Sequence, residues 1–90
     1  MLDDRVRLEI CSATALGILD ANGPMEGIAL LRKMNASVGA DHDSSYLWRV
    51  LQYPAPGQWF AAEWESVWDG GFLEFTLTVD LTEEAREMIG

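Results

Sequence analysis

Two hydrophobic periods divide this chain. Up to about residue 51 apolar residues recur at helical spacing, and from Trp59 onward they alternate. Leu8, Cys11, Ala15, Ile18 and Leu19 fall on one face of a helix over residues 4 to 21. A competing signal lies at its start, because Arg5-Val6-Arg7-Leu8-Glu9-Ile10 alternates strictly, as a strand would. The Ala- and Leu-rich stretch behind it favours helix. Asn22-Gly23 ends this element, and Pro24 suits the first turn of a second helix, over about 24 to 36. Met25, Ile28, Ala29 and Leu31 or Arg32 alternate faces of that helix, Met34 continues its apolar side, and Asn35, Ser37 and Gly39 stop it. After a polar loop, Asp43 or Ser44 caps a third helix, with Tyr46, Leu47, Val50 and Leu51 as its apolar positions. Pro54, Pro56 and Gly57 end it.

The alternating half predicts a β-hairpin. Phe60, Ala62 and Trp64 alternate with Glu63 and Glu65. Beyond Asp69-Gly70-Gly71, the residues Leu73, Phe75, Leu77, Val79 and Leu81 alternate with Glu74, Thr76, Thr78 and Asp80. A two-residue turn at Asp69-Gly70 pairs Trp64 with Phe75, and one at Gly70-Gly71 shifts the pairs by two; both gather the apolar residues on one face. A three-residue turn would set Trp64 beside Thr or Glu, at high cost. Trp64 is therefore expected to face the core. The opposite face carries Glu63, Glu65, Glu74 and Asp80. Thr82-Glu83-Glu84 opens a short last helix, capped by Thr82. The expected fold is α+β: one domain over residues 1–90, with three helices, a two-stranded hairpin and a short final helix.

Three segments resemble PadR-like transcriptional regulators, a winged-helix family. Gly23-Pro24-Met25-Glu26-Gly27-Ile28-Ala29-Leu30-Leu31-Arg32-Lys33-Met34 is similar to the family's junction of helices one and two. Ser45-Tyr46-Leu47-Trp48-Arg49-Val50-Leu51 resembles its recognition helix. Leu77-Thr78-Val79-Asp80-Leu81-Thr82-Glu83-Glu84-Ala85-Arg86 resembles the exit from its wing. The resemblance implies a winged helix-turn-helix whose third helix enters the major groove beside the wing. On that reading Ser45, Trp48 and Arg49 lie near bases, and Arg32 and Lys33 meet phosphates.

Charge argues against that use. Fifteen acids stand against six bases, for a net charge of −9. From Trp59 to Asp80 there are five acids and no lysine or arginine, where a DNA-binding wing needs cations. Such a surface favours a protein partner with a basic face. Transcription regulation by protein binding, as an inhibitor, anti-repressor or co-regulator, is the first expectation, and DNA binding is the alternative. The partner-binding candidates are Trp59, Glu63, Glu65, Trp68, Asp69, Phe72 and Glu74, exposed aromatics among carboxylates. Self-association through the hairpin, giving a homodimer, would also cover those aromatics. An acid-rich, lysine-poor surface also suits life in high salt.

Catalysis is not expected. Asp41-His42-Asp43 is too tightly spaced for a metal site and has no further ligand to complete it. His42 has no nucleophile partnered with it, Glu63 and Glu65 lie on an exposed strand face, and no phosphate-binding glycine loop is present. No cofactor is expected. Cys11, the single cysteine, reads as a small buried residue. The start lacks a basic region followed by an apolar run, and no apolar stretch approaches the ~20 residues that span a bilayer, so a cytoplasmic protein that does not enter membranes is expected.

Overall fold

A computed structural model describes residues 3–90, apart from the side chains of Val67 and Asp69. Helix α1 (Asp4–Asn22) packs beside α2 (Gly27–Val38) and α3 (Ser44–Leu51). A short strand β1 (Met25–Glu26) joins the hairpin strands β2 (Phe60–Asp69) and β3 (Phe72–Leu81), and α4 (Glu83–Ile89) follows. The sheet is antiparallel, in the order β1-β3-β2. The α+β class is as expected, but the sheet has three strands rather than two.

The additional strand displaces the start of the second helix. Pro24 does not open α2. Gly23 adopts φ 79° and ψ −166°, and Met25 and Glu26 run extended to pair with Val79 and Thr78. The helix begins at Gly27, which is buried. A Cβ added there would sit 3.2 Å from Leu77 Cδ2, so a side chain would press on the hairpin. The core side of α2 is Leu30 and Met34, both fully buried, whereas Ile28 is more than half exposed. In α1 the helical reading prevails over the strand-like start. Asp3 caps it by accepting from the Arg5 N–H, and Cys11, Ser12, Ala15 and Leu19 are buried.

Asn35 lies inside α2 rather than ending it. Its side chain brackets the following loop, donating to the His42 carbonyl and accepting from the His42 N–H, both at 3.0 Å. Asp43 caps α3 through the Tyr46 N–H. Leu47, Val50 and Leu51 from α3 complete a core with Phe60, Val79 and Leu81 of the hairpin and Ala85 of α4. Thr82 ties the hairpin base to α4. Its hydroxyl donates to the Gln58 carbonyl and accepts from the Ala85 N–H.

The hairpin turns at Gly70-Gly71, with φ 59° and 93° at those residues, as a two-residue turn with left-handed centres requires. Both two-residue registers keep the same faces, and charge distinguishes them. A turn at Asp69-Gly70 would set Glu65 directly opposite Glu74. The observed register sets Glu65 opposite Thr76 and Glu63 opposite Thr78, so no two carboxylates of the hairpin face each other across the ladder. The turn also fixes which backbone groups are paired. Asp69 and Phe72, flanking it, form a hydrogen-bonded pair, and every second pair follows. The Thr82 N–H to Trp59 carbonyl bond at 3.0 Å has the same parity. Even-numbered residues of β3 therefore bond to β2, and odd-numbered residues point their N–H and C=O to the other side.

The helices cover only the proximal half of the hairpin. Val79 is fully buried and Phe60 nearly so, while Trp64 and Phe75 on the same face are 60% and 63% exposed. The expectation that Trp64 packs into the core is corrected here: its face is the inner one, but the core ends before it. The overhang is visible in the dimensions, 47 × 31 × 22 Å, and in a radius of gyration of 13.7 Å. About 12 Å is usual at this length.

Candidate functional site: an aromatic cleft between the third helix and the hairpin

The site arises where the inner face of the hairpin extends past the helices. Its floor is Leu31 and Leu47, one wall is Trp64, Phe75 and Leu77, and the other is Ile28 and Trp48. Together with Glu26, Ser44 and Thr76 at its margin they enclose a cleft of about 190 Å³. Trp48 and Trp64 approach to 6.1 Å between ring centroids at a 36° tilt, so α3 and the hairpin meet through two indoles. Trp68 and Leu73 are opposite each other further along the same face and extend the surface toward the tip.

This surface is mostly aromatic. Exposures of 39% for Trp48, 60% for Trp64, 73% for Trp68 and 63% for Phe75 leave roughly 450 Å² of aromatic surface open to water, at about 200 Å² per ring. Ile28 and Leu73 add to it. The largest apolar patch on a typical monomer is about 300–600 Å² and is often functional. Among the described residues, none of the six bases lines the cleft, and Glu26 contributes a carboxylate to it.

The residues expected from sequence to bind a partner are divided by the structure. Trp68 lies on the aromatic face, and Phe72 is exposed beside the turn on the opposite one. Glu63, Glu65 and Glu74 are exposed on the face away from the cleft. Asp69 ends β2 opposite Phe72, and its side chain lies outside the described part. Trp59 is the exception. It precedes β2, is partly buried against the core and meets Tyr53 edge-on at 5.5 Å, so it does not stand on the acidic outer face. Asp80 on that face is paired with Arg86 at 2.7 Å, a solvent-exposed bridge worth little.

Of the residues implied by DNA reading, Arg32 and Lys33 are exposed on α2 and Ser45, Trp48 and Arg49 on α3. Arg49 is held over the Tyr46 ring at 5.5 Å, and Trp48 turns to the aromatic cleft. Sequence reading missed Ile28, Leu31 and Phe75 as site residues. Their apolar character at regular spacing looks the same in a core, and only the overhang reveals them.

A second group lies behind α3. His42 stacks on Tyr46 at 3.9 Å, and Tyr46 is near Cys11 and Arg49. Burial pushes the Cys11 thiol and the Tyr46 hydroxyl above their ordinary values. Asp43 is engaged in capping α3. No group of three or more His, Cys, Asp or Glu residues among the described residues is placed to hold a metal ion, and no described helix is long and apolar enough to cross a membrane. Comparison with protein-family models, curated proteins and solved structures finds no match.

Proposed function

We propose that this chain is a small acidic regulatory protein of winged-helix-like build that acts by binding another protein, as an inhibitor, anti-repressor or co-regulator. The observation that carries this reading is the cleft between α3 and the hairpin. In a winged helix that reads DNA, that region carries cations for phosphates. Here it carries Trp48, Trp64 and Phe75, with Glu26 at the margin and, among the described residues, no base. Apolar aromatic surface rimmed by carboxylate repels a phosphate backbone and suits a protein with apolar anchors and basic flanks. A nucleic-acid-binding protein is the target class that best fits an acidic ligand.

The test compares wild type with a Trp64→Asp/Phe75→Asp variant, whose substituted side chains are already exposed. Wild type should capture a protein from an extract of its own organism, and the variant should lose it. Neither should shift duplex DNA at ~50 mM salt. Duplex binding that weakens steeply with salt and survives in the variant would overturn the proposal in favour of DNA reading through Arg32, Lys33, Ser45 and Arg49.

A further inference from the structure

We infer that the partner is held as an added β-strand along the free edge of β3, and that the strand it contributes is basic and alternately apolar. The inference rests on the protein-binding reading and specifies how that site is used. β1 pairs only with Thr78 and Val79, because the chain turns into α2 at Gly27. Among the described residues no strand pairs with β3 on that side from Phe72 to Thr76. By the ladder parity, the N–H and C=O of Leu73 and Phe75 point outward there, beyond the end of β1. An unpaired row of this kind templates another strand. Strands added to such an edge gain main-chain bonds along the row, and their alternate side chains find pockets.

The pocket is in place. The aromatic cleft lies on the same stretch, with Thr76, Leu77 and Phe75 in its wall and Glu26 where β1 stops. A strand continuing from the end of β1 along β3 would direct every second side chain toward Leu31, Trp48 and Trp64. Its remaining side chains would share the outer face with Glu63, Glu65 and Glu74, which stand opposite threonines or a valine and have no base on their own hairpin. That alternation selects a partner segment with apolar residues on one face and lysine or arginine on the other.

A second copy of this chain fits less well. It would bring a further −9 to a chain that already carries −9. The exposed aromatic patch is also smaller than the ~800 Å² per partner of a standard stable interface.

The experiment uses the full chain and three synthetic heptapeptides. Arg-Val-Arg-Ile-Arg-Val-Arg is the probe. The second peptide is the same sequence N-methylated at alternate residues on its bonding edge, and the third carries glutamate in place of arginine. Binding is read by NMR titration and by amide hydrogen exchange. The probe should bind and slow exchange at Leu73 and Phe75 at least tenfold, with little change at Glu74 and Thr76, which already bond to β2. N-methylation should weaken binding at least tenfold, and the acidic peptide should not bind. Leu73→Pro, which removes an edge donor without touching the β2–β3 ladder, should also weaken the probe.

Protection on the outer edge of β2 instead, or equal binding of the N-methylated peptide, would overturn strand addition. Edge protection that rises with protein concentration and no peptide would replace it with self-association. Probe binding that shifts the Trp48 and Trp64 signals without protecting Leu73 and Phe75 would refute strand addition but leave protein binding standing. Failure of every peptide together with salt-sensitive duplex binding would remove both.

Discussion

Replacing Val79 and Phe75 by alanine, one at a time, separates packed hairpin from overhang. The two residues lie on the same face of β3, four positions apart. Val79→Ala deletes two carbons from a fully buried site. At ~0.8 kcal/mol per methylene plus a cavity term, the loss is about 2 kcal/mol. Phe75→Ala deletes a whole ring. In a packed core that costs about 3–5 kcal/mol, but Phe75 is 63% exposed, which scales the loss to about 1–2 kcal/mol. The smaller deletion should therefore be at least as damaging as the larger. Urea unfolding followed by circular dichroism measures both, and an unchanged m-value would show that the two-state comparison holds. In thermal melts each kcal/mol corresponds to about 4–8 °C for a domain of this size. A larger loss at Phe75 than at Val79 would refute the overhang and place the aromatic face inside a folded core. If the Phe75→Ala loss grew with protein concentration, the face would be covered by a second copy.

Three further outcomes follow from the same geometry. Gly71→Ala should cost about 1–2 kcal/mol in urea unfolding, because Gly71 has φ 93° and an L-residue resists that conformation. Thr82→Ala should cost about 1 kcal/mol by the same measurement, since it removes the α4 cap and leaves the Gln58 carbonyl without its hydroxyl donor. Cys11 should react with a thiol reagent in native protein far more slowly than in urea, because it is buried and its thiol is held above the ordinary range. With Cys11 and Tyr46 both raised, the folded state holds protons that the unfolded chain releases. Stability should then be intact below the ordinary thiol range and fall as pH rises through the alkaline range, as pH-stepped melts would show.

The long elements were legible because their periods are strong. The first and third helices start within a residue or two of the expected positions, and the Gly70-Gly71 turn is one of two that the alternation allows. What could not be read was tertiary. β1 is two residues long and exists because Val79 and Thr78 offer it an edge; Pro24 ahead of it reads equally well as a helix start. Leu30 was missed in favour of Ile28, since Met25, counted on the expected helix face, lies in β1 rather than in α2. Trp64 is the most instructive case. Alternation shows that Trp64 shares a face with Phe60 and Val79, but not where the helices covering that face end. The acidic outer face was visible in the sequence, and the cleft on the inner one depends on that endpoint.

The account is tested most directly by placing a photocrosslinking benzoylphenylalanine at position 75, in the cleft, and separately at position 63, on the acidic face, in cells of the source organism. The prediction is one dominant protein adduct from position 75, abolished by Trp64→Asp, with little or none from position 63. Adducts from position 63 alone, or from neither position while the protein binds duplex DNA, would contradict the claim that this protein works through its aromatic cleft.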